Sequence, residues 1–98
     1  MGEEMKRYSI LNNLDECYFC GRNKENIHEV YSGANRQTSI KNGFCVGLCF
    51  RCHRFVHDGS SYPQNGTMDN HLKVIYQKEY EKTHTREEFI RLIGKSYL

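Results

Sequence analysis

The sequence predicts an α+β fold in which two strands and a short helix form the core and further helices follow. Three observations predict it. β-Branched and aromatic residues concentrate in residues 27–31 and 44–48 between Gly and Asn positions. Two Cys-x₂-Cys pairs flank these segments, and helical periodicity begins after residue 67. We therefore expect one domain over residues 1–98, with its core at about 15–58 and helical support at about 67–98.

Composition favours a metal-stapled core. Only 38% of the 98 residues are hydrophobic, so the core is too small to stabilise the fold by burial alone. The five cysteines and five histidines indicate metal binding as the additional source of stability. No apolar run reaches the roughly 18 residues of a membrane span, and the N-terminus lacks a signal-peptide pattern. We expect a cytoplasmic protein with no membrane partner, where clustered cysteines bind zinc rather than form disulfides.

The charge distribution says more about partners than the total charge. The formal charge is +2, and four zinc-bound thiolates would bring it to zero. Between Val30 and His57 there is no acidic residue. This stretch carries basic residues that predict a positive face for nucleic acid, although solvated surface charge is the simpler alternative. They are Arg36, Lys41, Arg51 and Arg54.

The element order follows from local patterns. Residues 27–31 and 44–48 are expected to form a hairpin with a long loop rich in Gly, Asn and Ser, followed by a helix from Cys49 to about His57. A polar stretch at 58–67 is the expected internal boundary. A second helix is expected from Met68 to about Lys82, and a capping box at Thr85 and Glu88 opens a third that Gly94 ends.

The paired cysteines predict one structural zinc site. Two Cys-x₂-Cys knuckles, separated by 28 residues, offer four sulfurs to a tetrahedral ion and leave no open coordination position. Gly21 after the first knuckle lets the chain turn there. Cys45, which has no partner at knuckle spacing, is expected to be a small buried residue. The ligands are Cys17, Cys20, Cys49 and Cys52.

Three histidines predict a second, open metal site. His53 and His57 lie four residues apart, so they project from one face of the predicted helix. His28 comes close to them if the hairpin packs on that helix.

These motifs together resemble a known nuclease family. Cys17-x₂-Cys20-Gly21, the run from His28 to Arg36 (HEVYSGANR) and Leu48-Cys49-x₂-Cys52-His53-x₃-His57 are similar to the zinc-bearing HNH (His-Asn-His) endonucleases, above all to small phage and prophage members. The resemblance extends to the C-terminal run from Phe89 to Tyr97. It implies a ββα-metal, treble-clef-like core and a divalent-metal-dependent DNA endonuclease that hydrolyses phosphodiester bonds with Mg²⁺ or another divalent ion.

The resemblance also implies residue roles. His28, His53 and His57 take the positions of the catalytic metal ligands, and Glu29 stands where the family has its water-activating histidine. A glutamate near its reference pKa of about 4.3 is a weak base at neutral pH. In the alternative register His28 is the base, but Ile27 then occupies a ligand position and cannot bind metal.

The family's central asparagine has no direct counterpart. Its place by spacing from His53 is near Phe44, so Asn35 or Asn42 is the candidate substitute, with a turn role equally open for Asn35. Arg36 is a candidate phosphate ligand because its planar fork matches phosphate oxygens. Together with Arg51 and Arg54 it forms the predicted nucleic-acid face.

Three functions remain open at this level. The first is a phage- or prophage-encoded DNA endonuclease that works with a recombination or packaging partner. The second is a catalytically silent member of the same fold that binds DNA or docks a protein. The third is an unrelated zinc ribbon in which His53 and His57 are incidental.

Overall fold

The computed structural model describes residues 6–11 and 13–98, which fold into an α+β structure. The N-terminal residues that entered the signal-peptide argument lie outside this range. The described part contains two antiparallel two-stranded sheets and four helices. The strands are β1 (Asn26–Glu29), β2 (Cys45–Leu48), β3 (Ser61–Tyr62) and β4 (Gly66–Thr67), and the helices are α1 (Arg36–Asn42), α2 (Phe50–Asp58), α3 (Met68–Tyr80) and α4 (Arg86–Ile93).

The predicted hairpin exists, but its first strand is shifted. β1 pairs with β2 in a register that places His28 opposite Val46 and begins one residue before the predicted segment. β1 ends at Glu29 rather than residue 31, because Tyr31 finds other partners for its backbone. The hydroxyl of buried Ser39 accepts from the Tyr31 N–H at 3.1 Å and donates to the Tyr31 carbonyl at 2.6 Å.

The connection between β1 and β2 is helical, so the prediction of a long irregular loop was wrong. A 3₁₀ turn at Gly33–Asn35 leads directly into α1, which ends at Gly43. Only Ser39 and Ile40 of this helix are buried. An apolar stripe of one residue leaves no helical period in the sequence, and this explains the missed helix.

The helix that follows β2 agrees with the prediction. Cys49 caps α2, where its sulfur accepts from the Cys52 N–H, and Gly59 ends the helix in a left-handed conformation. Cys52 and Val56 are the buried residues of α2. Strand, strand and helix therefore follow one another in space as the sequence patterns indicate.

The polar stretch at 58–67 holds structure that the sequence patterns missed. Its residues form the short β3–β4 hairpin, which turns through Asn65 at a positive φ of 68°. Thr67 then caps α3 by accepting from the Asn70 N–H at 3.0 Å. The stretch is thus a tight connection between α2 and α3.

The C-terminal helices cover the core, as predicted. α4 opens with the predicted capping box of Thr85 and Glu88 and ends at Gly94. Tyr76 and Phe89 are fully buried, and Tyr76 Oη donates to the Cys45 carbonyl at 2.8 Å. The aromatic residues of these helices are therefore core residues. Cys45 itself is fully buried, as expected.

None of the helices in the described part of the chain is long and apolar enough to cross a bilayer.

Candidate metal centres

The four knuckle cysteines converge on one point. One sulfur from each lies within 4.8 Å of all the others, and Cys20 Sγ lies 3.6 Å from Cys49 Sγ. Sulfurs around a tetrahedral zinc at Zn–S of ~2.3 Å lie ~3.8 Å apart. The donor set and its spacing therefore fit zinc, as predicted for Cys17, Cys20, Cys49 and Cys52.

A close backbone approach brings the first knuckle to the second. Gly47 of β2 lies directly under the segment that precedes Cys17, and a Cβ there would meet the carbonyl oxygens of Leu14 and Glu16 at 2.6 and 2.7 Å. The Tyr18 N–H donates to the Gly47 carbonyl at 2.9 Å, which fixes this contact. Sequence patterns gave Gly47 no role, since its neighbours lie about 30 residues away along the chain.

The first knuckle closes on itself through a glycine turn. Gly21 adopts φ of 77°, a left-handed conformation that glycine reaches without strain, and its N–H donates to the Cys17 carbonyl at 2.9 Å. The Cys17 N–H in turn donates to the Arg22 carbonyl at 2.7 Å. The turn at Gly21 is thus present as predicted, and both knuckle sulfurs lie near those of Cys49 and Cys52.

Cys49 is prepared to ligate metal as a thiolate. The backbone N–H of Cys52, aided by the neighbouring knuckle thiols, lowers the pKa of Cys49 to about 7. This hydrogen bond exists because Cys49 is the N-cap of α2, where the free amides of the first turn point at the sulfur.

The three predicted histidines also converge. One ring nitrogen from each of His28, His53 and His57 lies within 4.8 Å of the other two, and the Nε2 atoms of His53 and His57 are 3.0 Å apart. β1 presents His28, while α2 presents the other two from successive turns. Nitrogens bound to one divalent ion at ~2.0–2.1 Å lie ~3.0–3.4 Å apart, so this spacing fits a shared metal.

His28 supplies a second sign of a metal site. Its ring is buried, and its Nε2 atom has no hydrogen-bond partner among the described residues, an arrangement that costs free energy unless a ligand completes it. Burial, with the nearby His53 and His57 rings, lowers the pKa of His28 to about 4. The imidazole is therefore neutral at pH 7, the form that binds metal.

The two centres differ in access. Three of the four cysteines are buried, and four sulfurs complete a tetrahedral ion. In the second centre His28 is buried and His57 is exposed, so a metal held there has one side toward solvent. Three nitrogen ligands leave positions for water and a substrate oxygen. The first centre can hold the fold together, and the second can take part in chemistry.

Glu29 lies next to His28 in β1 but belongs to a different cluster. Its Oε2 accepts from Arg7 Nε at 2.8 Å, and its Oε1 lies 3.4 Å from Arg36 Nε. Successive strand residues point to opposite faces of the sheet, and the histidine cluster does not include Glu29. Both carboxylate oxygens of Glu29 are thus engaged by arginines. The role of Glu29 in water activation stays a prediction.

Arg7 is the residue of this cluster that the sequence reasoning missed. It reaches Glu29 across 22 positions, and no local pattern links the two. Arg7, Lys24, Glu29 and Arg36 share the lining of one surface cavity of about 470 Å³ beside β1. Through its 2.8 Å contact with Glu29, Arg7 belongs to the charged cluster beside β1.

Each candidate asparagine donates its side-chain amide to a backbone carbonyl. Asn35 Nδ2 donates to the Ile93 carbonyl at 2.8 Å, and Asn42 Nδ2 donates to the Thr38 carbonyl at 2.8 Å. The first bond joins the turn before α1 to the end of α4, and the second lies within α1. Both side chains hold backbone carbonyls.

The predicted basic face consists of exposed side chains. Arg36 starts α1 and contacts Glu29, Arg54 lies 4.0 Å from Asp58 on α2, and Arg51 is exposed on the same helix. Exposed pairs of this kind contribute little to stability, so Arg54 can exchange Asp58 for another anion. Arg51 and Arg54 come from the same helix that carries His53 and His57.

Comparison with known proteins gave no match to a family model, to a curated protein or to a solved structure.

Proposed function

We propose that this protein is a divalent-metal-dependent DNA endonuclease of the ββα-metal type. The observation that carries the proposal is the convergence of His28, His53 and His57 around a buried, unpartnered imidazole nitrogen. The separate four-cysteine cluster already offers a complete tetrahedral ligand set, so these imidazoles form a second, distinct set of possible ligands. The motif resemblance to HNH endonucleases supplies the reaction class, and the order β1, β2, α2 is the order that such a core requires.

The proposed roles follow from the positions of the side chains. A divalent ion at this site would act as a Lewis acid on a phosphate oxygen and lower the pKa of a bound water. His28 anchors the ligand set from the rigid strand, while His53 and His57 complete it from α2. Exposed Arg51 and Arg54 attract the phosphate backbone toward this helix, and Arg36 does so from the start of α1.

Plasmid nicking tests the reaction. Zinc-loaded protein is incubated with supercoiled plasmid and Mg²⁺, Mn²⁺ or Ni²⁺, and conversion to open-circular or linear DNA is followed on gels. We expect cleavage that EDTA stops and that His57→Ala abolishes. His84→Ala, which removes another exposed histidine outside the cluster, should cleave like the parent. Absence of cleavage in every metal would contradict the nuclease proposal.

Salt dependence tests the DNA partner separately from the chemistry. If Arg36, Arg51 and Arg54 reach phosphates, the logarithm of the affinity for mixed-sequence duplex should fall with the logarithm of the salt concentration by about 0.9 per contact. We expect a total slope of about two to four. Arg51→Gln should reduce the slope by about one unit. Binding that ignores salt would argue against a nucleic-acid face.

A second candidate function rests on Glu29. Glu29 stands at the position of the family's base, and its carboxylate forms ion pairs with Arg7 and Arg36. This favours a catalytically silent module that binds DNA or docks a protein. Salt-dependent DNA binding without cleavage in any metal would identify that module. Two distinct metals per chain would favour the nuclease, whereas a single zinc per chain would leave both the silent module and the unrelated zinc ribbon.

A further inference from the structure

Phe50, the first residue of α2, has an exposed aromatic side chain. Its relative exposure is 63%, the highest among the large hydrophobic side chains in the described ranges. Only its backbone is engaged, since the Phe50 N–H donates to Glu25 Oε1 at 2.8 Å. Because the phenyl ring is exposed, it does not contribute the free energy that its burial would add to folding.

The position of Phe50 on α2 connects it to the candidate catalytic centre. Residues three, four and seven positions apart share one face of a helix, and from Phe50 these positions are His53, Arg54 and His57. With a rise of 1.5 Å per residue, Phe50 lies ~4.5 Å along the axis from His53 and ~10.5 Å from His57. The ring therefore projects from the same face of α2 as the two histidines, within ~10.5 Å of them along the helix axis.

The surroundings of Phe50 are basic. Phe50 lines a surface depression of about 650 Å³ together with Arg22 and Arg51. Glu25 also lines it and accepts from the Phe50 N–H, so two positive charges and one negative charge border the depression. An exposed aromatic ring near exposed guanidinium groups combines the two features that bind single-stranded nucleic acid, namely stacking on bases and attraction to the backbone.

We propose that Phe50 is a base-stacking platform that selects DNA with unpaired bases next to the phosphate at the histidine centre. The inference rests on the proposed function and names the substrate class of that site. A fully paired duplex hides the faces of its bases, whereas a single strand or a frayed junction offers them to a projecting ring. A protein partner would cover the ring without needing the flanking arginines.

Oligonucleotide affinity tests the proposal with a matched control on the same helix. Phe55 is also exposed, at 39%, and lies five residues on, ~140° around α2 from Phe50. Fluorescence anisotropy without added catalytic metal measures binding to a labelled single strand and to its matched duplex. We expect tighter binding of the single strand, a roughly 5- to 150-fold loss with Phe50→Ala and less than 2-fold loss with Phe55→Ala. Phe50→Tyr should restore affinity, and Phe50→Leu should not.

A direct reporter of stacking is available because the chain contains no tryptophan. In Phe50→Trp the single indole sits at the proposed contact, and in Phe55→Trp it sits away from it. Single-stranded DNA should quench and shift the emission of the first variant and leave that of the second unchanged. Zinc content and thermal melting of both variants should match the parent, since both side chains are exposed.

The outcomes separate the inference from the function that it deepens. Metal-dependent cleavage with equal affinity of parent and Phe50→Ala for every DNA would overturn the stacking role and keep the nuclease. Quenching of Phe50→Trp by single strands without cleavage in any metal would support the stacking role and overturn the nuclease. Binding to no DNA would overturn both, and a preference for matched duplex would overturn the substrate class.

Discussion

Asn35 Nδ2 donates to the carbonyl of Ile93 at 2.8 Å and so joins the turn before α1 to the last turn of α4. The carbonyls at the end of a helix lack intrahelical partners, and this side chain supplies one across 58 positions of the chain. Asn35, which the family resemblance made a catalytic candidate, therefore helps to hold α4 against the turn before α1. The observed role of its side-chain amide is therefore structural.

Asn35→Ala should lower stability and leave the metal centres intact. Loss of one hydrogen bond costs about 1 kcal/mol, and we expect Tm to fall by roughly 4–8 °C in a domain of this size. Thermal melting by circular dichroism and metal content per chain measure the two effects. An unchanged Tm with cleavage lost would restore Asn35 to the catalytic set.

Cys20→Ala should leave a poorly folded chain without its structural zinc. Binding at comparable small sites contributes roughly 10–16 kcal/mol to folding, far more than a domain of this size can lose. Cys45→Ala is the matched control, because Cys45 is buried outside both clusters. It should keep its zinc and lose only about 1 kcal/mol. Metal analysis and melting of purified Cys20→Ala would contradict the structural role if both matched the parent.

His57→Ala should remove an exchangeable metal and spare the zinc. The side chain is exposed, so we expect a stability change within about 0.5 kcal/mol, whereas affinity for Mn²⁺ or Ni²⁺ should fall by more than the roughly 10- to 100-fold typical of an outer-shell partner. Protons compete with metal for imidazoles, and burial lowers the pKa of His28 to about 4, so metal binding through His28 should be lost only as pH falls toward about 4. Calorimetric titration measures both effects. Equal affinity of His57→Ala and parent would exclude His57 as a ligand.

If position 29 activates water, as the resemblance implies, Glu29→His should retain or raise the cleavage rate. An imidazole titrates near neutral pH and does not pair with Arg7 and Arg36 as a carboxylate does, so it is the better base at this position. Glu29→Gln is the matched change that keeps the size and removes the charge. If Glu29 activates water, this variant should lose about 10²–10⁴-fold in rate with metal still bound. Identical rates for parent, Glu29→His and Glu29→Gln would exclude this position from proton transfer.

Much of this molecule was predictable because its signals are local. The capping box of α4, the glycines that follow α2 and α4 and the spacing of both Cys-x₂-Cys pairs lie within a few residues of the elements they define. The spacing of His53 and His57 likewise needs only the helical repeat. Two elements were not predicted from local patterns. Helix α1 has a single buried apolar residue and so leaves no periodic signal, and the strands of the β3–β4 hairpin are only two residues each.

The sequence by itself determined which residues can bind metal, since four thiols in two knuckles and two imidazoles one helical turn apart are patterns of short range. Only the tertiary structure decided what stands beside them. It engaged Glu29 with Arg7, tied Asn35 to Ile93 and brought the first knuckle over Gly47. These relationships join residues 22 to 58 positions apart, or depend on a close backbone approach. Packing of distant segments sets them, and no periodicity along the chain records that packing.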